Sequence, residues 1–188
     1  LERTALEFSL RHAANPMFGF AEKYEVTSSF NLSMGTLLFA ARAYVDKTRA
    51  LLSRTYKDNP DHLAVFDIAR REAHAGSLGF KFLEGLRNYA QHVGTPVSGF
   101  SVKLLSGEDG GWISCAIGIN RKDVDGLDEF RHAQSDISKM PELIQLQPLV
   151  REYLACFSTV QNKLRRALEV ELRAYRRAIF HVFIETDT

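Results

Sequence analysis

The stretch RNYAQH at positions 87–92 carries side chains from which a metal-free RNA-cleaving site can be built. The ribose 2′-hydroxyl of RNA is itself the nucleophile, so cleavage needs a group that moves protons and a fixed positive charge for the pentavalent phosphate. Histidine and arginine meet these two needs near neutral pH. The candidate catalytic residues are therefore Arg87, Asn88 and His92. His92 would transfer protons at the 2′-hydroxyl or the leaving 5′-oxygen, Arg87 would stabilise the phosphorane, and Asn88 would orient the phosphate or a partner chain's histidine.

A helix from about Ser77 to Val93 has to position these side chains. Its helical spacing predicts a buried stripe formed by Leu78, Phe82, Leu83, Leu86, Tyr89, Ala90 and Val93. The opposite face carries Lys81, Glu84, Asn88 and His92. Arg87 lies about 140° around the helix from His92, at about 100° per residue. Gly94-Thr95-Pro96 ends the helix directly after His92. The last carbonyls of the helix favour a positive charge on the His92 imidazole, which suits a general acid. Burial would favour the neutral imidazole instead.

The hexapeptide resembles the RNxxxH signature of HEPN domains, and the preceding Phe82-Leu83-Glu84-Gly85-Leu86 fits that context. The segment 38–46 resembles the long first helix of many bacterial members, so the resemblance covers about residues 30 to 93. It implies a small helical homodimer, without a cofactor, that cleaves RNA and leaves a cyclic phosphate end. A long arginine side chain can swing over to His92 in its own chain. The resemblance implies instead that Arg87 meets the histidine of a second protomer.

The bare arginine-to-histidine spacing is weakly specific, because Arg176 and His181 repeat it. Arg177 follows that second arginine, however, and Arg-Asn occurs only at Arg87-Asn88. Two alternatives stay open. The chain can be a non-catalytic HEPN-like dimerisation or binding module. In a purely structural interpretation of the motif, Arg87 pairs with Glu84, Asn88 caps a neighbouring backbone and His92 donates to a carbonyl at the helix end. It can also be the toxin of a toxin-antitoxin pair or a phage-defence effector, with RNA as substrate and an antitoxin or regulator protein as partner.

Composition limits the class of protein. The 188 residues, 45% hydrophobic and 25% charged, suit one domain with a substantial core and argue against disorder or a membrane protein. The 24 basic and 23 acidic residues nearly cancel, so an RNA site has to be local. Cys115 and Cys156 form no CxxC pair, which favours a reducing compartment, and we predict the cytoplasm. Because the first residue is leucine, we expect either a fragment or a chain that lacks disordered residues, and the absent N-terminus can hold another module.

The pattern along the chain predicts a mainly α fold, a HEPN-like helical bundle with an inserted β-hairpin. In chain order, the predicted elements of this single domain are an N-terminal arm (1–26), a helix from Phe30 to about Tyr56, a shorter helix after Pro60, the motif helix, the hairpin (97–119), a helix from Leu127 to Ile137, and one or two helices within 142–184. Asp123 or Asp125 is expected to cap the helix that begins near Leu127.

Other candidate sites are weaker. Four basic residues could form a phosphate-backbone groove, but Glu169 and Glu171 interrupt the run and favour a solvated helix face. These weak RNA-binding candidates are Lys163, Arg166, Arg173 and Arg177. The aspartates around Gly126 do not match a calcium loop, and we predict no metal site. His74 and His132 follow no recognised spacing, which favours structural or surface roles for both.

Overall fold

A computed structural model describes residues 7, 20–107 and 110–185. Over these residues the chain is mainly α-helical with a small antiparallel sheet, which confirms the prediction of a mainly α fold with a β-hairpin. The helices are α1 (Phe20–Thr55), α2 (Asp61–Gly76), α3 (Leu78–His92), α4 (Gln134–Ile137), α5 (Leu146–Ala167) and α6 (Glu169–Glu185), and the strands are β1 (Gly99–Gly107), β2 (Gly110–Asn120) and β3 (Leu143–Gln145). No helix among the described residues combines the length and apolar character needed to cross a membrane.

The motif helix α3 is anchored at its N-terminus by hydrogen bonds. Ser77 caps it, since its Oγ accepts from the backbone N–H of Phe80 at 3.0 Å. The Ser77 hydroxyl donates to one carboxylate oxygen of Glu152 at 2.7 Å, and the Gly79 N–H donates to the other at 3.0 Å. The negative charge of Glu152 also suits the positive end of the helix dipole. A side chain of α5 thereby fixes where the motif helix begins.

Two glycines of α3 let neighbouring segments approach its backbone. A Cβ atom at Gly79 would lie 2.7 Å from the carbonyl oxygen of Leu149 in α5. A Cβ atom at Gly85 would lie 2.7 Å from the carbonyl oxygen of Glu129, in the 3-10 turn Asp128–Phe130. Real side chains essentially never make such contacts, so both positions require glycine at this packing distance.

The buried face of α3 follows the predicted stripe in part: Leu78 and Ala90 are only half-buried, and Phe80, which lies outside the predicted stripe, is fully buried. Phe82, Leu83 and Leu86 are fully buried and Tyr89 nearly so, but Val93 is 55% exposed. Val93 lies beyond the last helical residue, His92, so it no longer continues the stripe. The stripe packs in the main core, formed by α1, α3, α5 and the sheet, in which Phe30, Met34, Ile117, Ile119, Ile144 and Tyr153 are buried. A second cluster joins α1, α2 and α5 through Val45, Leu52, Phe66, Ala69, Val160 and Leu164.

The predicted hairpin is present as β1 and β2, paired antiparallel from Gly99↔Gly118 to Gly107↔Gly110. A third strand extends this sheet, because β3 pairs with β2 at Gly118↔Gln145, Ile119↔Ile144 and Asn120↔Leu143. The prediction of helix from residue 142 is therefore wrong at its start. Pairing with β2 satisfies the backbone groups of Leu143–Gln145 and buries Ile144, which outweighs the local helical pattern.

Two further boundaries differ from the prediction. Helix α1 begins at Phe20 rather than Phe30, so residues 20–26 of the predicted arm are helical, and the rest of the arm apart from residue 7 lies outside the described residues. The helix predicted from Leu127 to Ile137 is a 3-10 turn followed by the four-residue α4, with no side-chain cap on either element. Asp123 accepts instead from the Ser98 hydroxyl at 2.6 Å, and Asp125 from the amide of Gln134.

Candidate active site

The outer face of α3 forms one wall of a cleft of about 480 Å³. Helix α2 and the segment following β2 form the other walls. The lining residues are His74 from α2, Lys81, Glu84, Gly85, Asn88 and His92 from α3, and Asp128, Glu129, Arg131 and His132 from the later segment. The four polar residues predicted to share the outer face of α3 therefore lie together in one cleft.

Two of the three candidate catalytic residues, Asn88 and His92, line this cleft, and Arg87 does not. Arg87 is connected to it through Asn88, whose Oδ1 accepts a hydrogen bond from the Arg87 Nη2 at 2.7 Å. Because Oδ1 accepts this bond, the amide nitrogen of Asn88 is the atom left to donate to a ligand. The Arg87 Nε is buried and finds no hydrogen-bond partner among the described residues.

Glu84 is held by a buried tyrosine rather than by Arg87. The hydroxyl of the fully buried Tyr153 donates to the Glu84 Oε1 at 2.9 Å. Burial raises the pKa of Tyr153 far above its usual value, and the adjacent Glu84 carboxylate raises this pKa further. Tyr153 therefore stays protonated and acts as a permanent donor to this wall of the cleft.

His92 is the last residue of α3, and its side chain is exposed. The N–H groups of Val93 and Gly94 both donate to the carbonyl of Tyr89, at 2.8 and 3.0 Å, which closes the helix end. Within the described residues, the His92 imidazole makes no hydrogen bond, so both ring nitrogens are available to a ligand. Among the described residues, the imidazole therefore lacks the hydrogen bond to a backbone carbonyl that a purely structural histidine is expected to make.

The cleft also brings together His74 and His132, which the sequence pattern does not connect to the motif. Their ring centroids lie 5.3 Å apart in an edge-to-face arrangement. The Arg131 Nε donates to the His132 Nε2 at 3.2 Å. Burial lowers the pKa of His74, and the nearby His132 lowers it further. The spacing of residues along the sequence cannot predict this group of histidines, because the three come from separate elements. The sequence feature that indicates the close approach of the later segment to α3 is Gly85, a glycine in the middle of the helix.

The charges of the cleft are mixed. Lys81 and Arg131 supply positive charge, and three carboxylates, Glu84, Asp128 and Glu129, lie beside them. Arg131 forms an exposed ion pair with Asp128 at 3.5 Å, whereas Lys81 has no ion-pair partner among the described residues. The described part of the chain contains no group of three or more His, Cys, Asp or Glu residues that could hold a metal ion.

The weak RNA-binding candidates of α5 and α6 lie outside this cleft. Lys163 pairs with Glu72 at 2.5 Å, and Arg173 pairs with Glu169. Arg166 and Arg177 are exposed. Since two of the four charges are already paired, this surface resembles the solvated helix face that the sequence favours.

A scan of protein-family models finds no match to this chain, and comparisons with curated proteins and with solved structures find none either.

Proposed function

We propose that the protein is a metal-independent endoribonuclease of HEPN type that leaves cyclic phosphate ends. The observation that supports this proposal most is the shared cleft, in which Asn88 and His92 meet Lys81 and Arg131 within about 480 Å³. Such a cleft offers a proton-transfer group, an amide donor and positive charge to a phosphodiester, which are the components that cleavage by the 2′-hydroxyl requires.

In this proposal His92 donates a proton to the leaving 5′-oxygen. Asn88 donates its amide N–H to a phosphate oxygen while its Oδ1 holds Arg87. Arg87 thus acts through Asn88 in its own cleft, or meets the phosphate at the His92 of a second protomer if the chain forms the homodimer that the resemblance implies.

The second candidate function is a non-catalytic HEPN-like binding or dimerisation module. It is favoured by one specific observation, namely that the motif arginine does not line the cleft and has its Nε buried. The two functions differ in what substitutions do, because binding by such a module should survive loss of Arg87 and His92, whereas cleavage should not.

The test is cleavage of labelled total RNA in EDTA by the purified protein and its Arg87→Ala and His92→Ala variants. We expect His92→Ala to lose at least about 100-fold in rate, as is typical when a general acid or base is removed. Gln91→Ala is the matched control, since Gln91 is an exposed neighbour that does not line the cleft. Cyclic phosphate ends on the product would identify the chemistry. Undiminished cleavage by a pure, folded His92→Ala variant would contradict the assignment.

The biological role we propose is that of a toxin or phage-defence effector, restrained by an antitoxin or regulator protein. Expression of the active enzyme should then arrest growth, and His92→Ala should relieve the arrest. Normal growth during expression of an enzyme that is active in vitro would separate the nuclease activity from this role.

A further inference from the structure

We propose that the outer face of α1 is a self-association surface, on which a second copy of this chain packs its own α1 in the opposite direction. The central line of this surface, called the α1 seam below, consists of Ser28, Leu32, Gly35 and Phe39. No described residue of α1 lines the cleft. The inference therefore goes beyond the nuclease function proposed above and does not depend on it.

The α1 seam is exposed although it carries two large apolar side chains. Leu32 is 74% exposed and Phe39 is 51% exposed. Between them, a Cβ atom at Gly35 would meet nothing within 4 Å, so this position is open as well. A single exposed leucine is ordinary on a protein surface, whereas two large apolar side chains along one line of a helix form an apolar patch.

The same part of α1 lacks the charges that normally cover an exposed helix face. Residues 26–41 include no Asp, Glu, Lys, Arg or His. On the inner side of this stretch, Phe30, Met34 and Leu38 are buried in the core. The outer side has no such need for uncharged residues, and a helix face in water usually carries charged ones. The composition of the outer face therefore suits a surface that another helix covers.

The seam residues recur at the spacing by which two α-helices pack along each other. Ser28, Leu32, Gly35 and Phe39 follow one another at intervals of four, three and four residues. This heptad pattern keeps one line of side chains facing a partner helix. The spacing by itself fits a parallel or an antiparallel pair.

Side-chain size favours the antiparallel pair. When two α1 helices run in opposite directions about a twofold axis between Leu32 and Gly35, Leu32 of each copy faces Gly35 of the other. Phe39 of each copy then faces Ser28 of the other. Each large side chain meets a small one, which is how facing layers interdigitate. In a parallel pair, Gly35 would face Gly35 and leave a gap.

The charges at the two ends of the seam favour the same orientation. Glu25 lies three residues before Ser28, and Arg42 lies three residues after Phe39. In the antiparallel pair, Glu25 of each copy faces Arg42 of the other, whereas a parallel pair would bring like charges together. Arg42 also holds Asp46 of its own chain at 2.8 Å, so its guanidinium would lie between two carboxylates. Because the surface is complementary to itself in size and charge, its occupant is a second copy of this chain.

Sedimentation equilibrium of the purified protein, between about 1 μM and 1 mM, measures this self-association. We expect the wild type to form a dimer. Leu32→Asp and Phe39→Asp should each raise the dissociation constant at least about tenfold, because an unpaired carboxylate would be buried in the interface. Leu51→Asp is the matched control and should leave the constant unchanged. Leu51 is 54% exposed in the same helix and lies about 100° around from Leu32, at about 100° per residue.

Charge reversal tests the orientation of the two helices. Glu25→Arg or Arg42→Glu alone should weaken the dimer at least about threefold, since each places like charges opposite each other at both ends. Both reversals in one chain should restore association, and so should an equal mixture of the two single variants. In a parallel pair, a single reversal exchanges one pair of like charges for another. Single variants that associate as well as the wild type would therefore overturn the antiparallel arrangement.

Two other outcomes would overturn the inference, once circular dichroism shows that every variant is folded. One is a wild type that stays monomeric up to about 1 mM. The other is a wild-type dimer that Leu32→Asp and Phe39→Asp leave unchanged, because the interface would then lie on another face. Neither outcome affects the nuclease proposal, which is tested separately by RNA cleavage with His92→Ala.

Discussion

The hydroxyl of Tyr153 and the carboxylate of Glu84 show how a single buried contact can shape the polar wall of the cleft. Tyr153 lies in the aromatic core, 5.0 Å from the ring centroid of Phe80, yet its hydroxyl reaches the surface residue Glu84. A carboxylate with a fixed donor keeps one orientation. Glu84 bonds Tyr153 in this structure, whereas the guanidinium of Arg87 bonds Asn88.

Replacing Tyr153 by phenylalanine should destabilise the protein while preserving the packing of the ring. The Glu84 carboxylate would lose its donor, and an unsatisfied polar group at a partly buried position costs about 1–3 kcal/mol. Urea unfolding should show this loss. In a double-mutant cycle, Tyr153→Phe should destabilise the Glu84→Gln variant less than it destabilises the wild type. Strictly additive effects of the two substitutions would show that the contact contributes nothing.

His74 should make the stability of the protein sensitive to mild acid. Its pKa is lowered in the folded state, chiefly by burial and then by His132, with Lys81 and Arg70 acting in the same direction and Glu84 opposing. The neutral ring is thus the form that the fold favours. Its contribution is present above the ordinary histidine value of about 6.5 and is lost as the pH falls through the lowered folded-state pKa.

The measurement is urea unfolding of wild type and His74→Gln at several pH values between about 7.5 and 5, the range that spans ordinary histidine titration. We expect the wild type to lose more stability over this range than the variant does. Parallel losses in the two proteins would show that His74 does not couple protonation to folding.

At the scale of elements, close packing onto α3 determines what the cleft contains. Gly79 allows α5, and Gly85 allows the turn Asp128–Phe130, to pack directly against the α3 backbone. A Cβ atom added at either glycine would lie 2.7 Å from a backbone carbonyl oxygen of the neighbouring segment. These contacts bring polar and titratable residues from distant parts of the chain to one helix face. A helix of the same sequence with alanine at either position would keep its local structure but not these neighbours.

Gly85→Ala should therefore destabilise the protein, although alanine is the better helix former. Overpacking against a backbone carbonyl typically costs about 1–3 kcal/mol. Gly35→Ala is the matched control, because a Cβ atom at Gly35 in α1 meets nothing within 4 Å. That substitution should stabilise the protein by about 0.5–1 kcal/mol. Thermal unfolding of both variants measures the difference between their Tm changes. An increase in Tm for Gly85→Ala would show that the turn Asp128–Phe130 can move away from α3 without a large loss of stability.

At the scale of the whole molecule, α6 is fastened to the remainder by a polar contact. The buried His62 of α2 lies with its Nε2 2.9 Å from the Glu171 Oε1, in the first turn of α6. A hydrogen bond from its own backbone N–H lowers the pKa of Glu171, and His62 lowers it further. Among the described side chains of α6, Val170, Leu172 and Tyr175 are exposed.

Glu171→Gln should loosen α6 without unfolding the cleft. The amide keeps the size of the side chain but removes the charge that His62 and the helix N-terminus favour. Hydrogen exchange of amides in the first turns of α6 should become faster, while exchange in α3 stays unchanged. Faster exchange in both helices would show instead that the contact supports the whole fold.

The sequence by itself determined the motif helix, the hairpin and the shared face of Asn88 and His92, because helical and strand periodicities are local properties of the chain. It could not determine that Leu143–Gln145 joins the sheet or that α1 begins at Phe20, since strand pairing and packing between distant segments override local patterns. The tertiary structure alone placed His74 and His132 in the cleft that His92 also lines, and kept Arg87 out of that lining. For His132 the physical reason lies at Gly85, where a missing side chain allows a turn more than 40 residues later in the chain to touch the helix backbone.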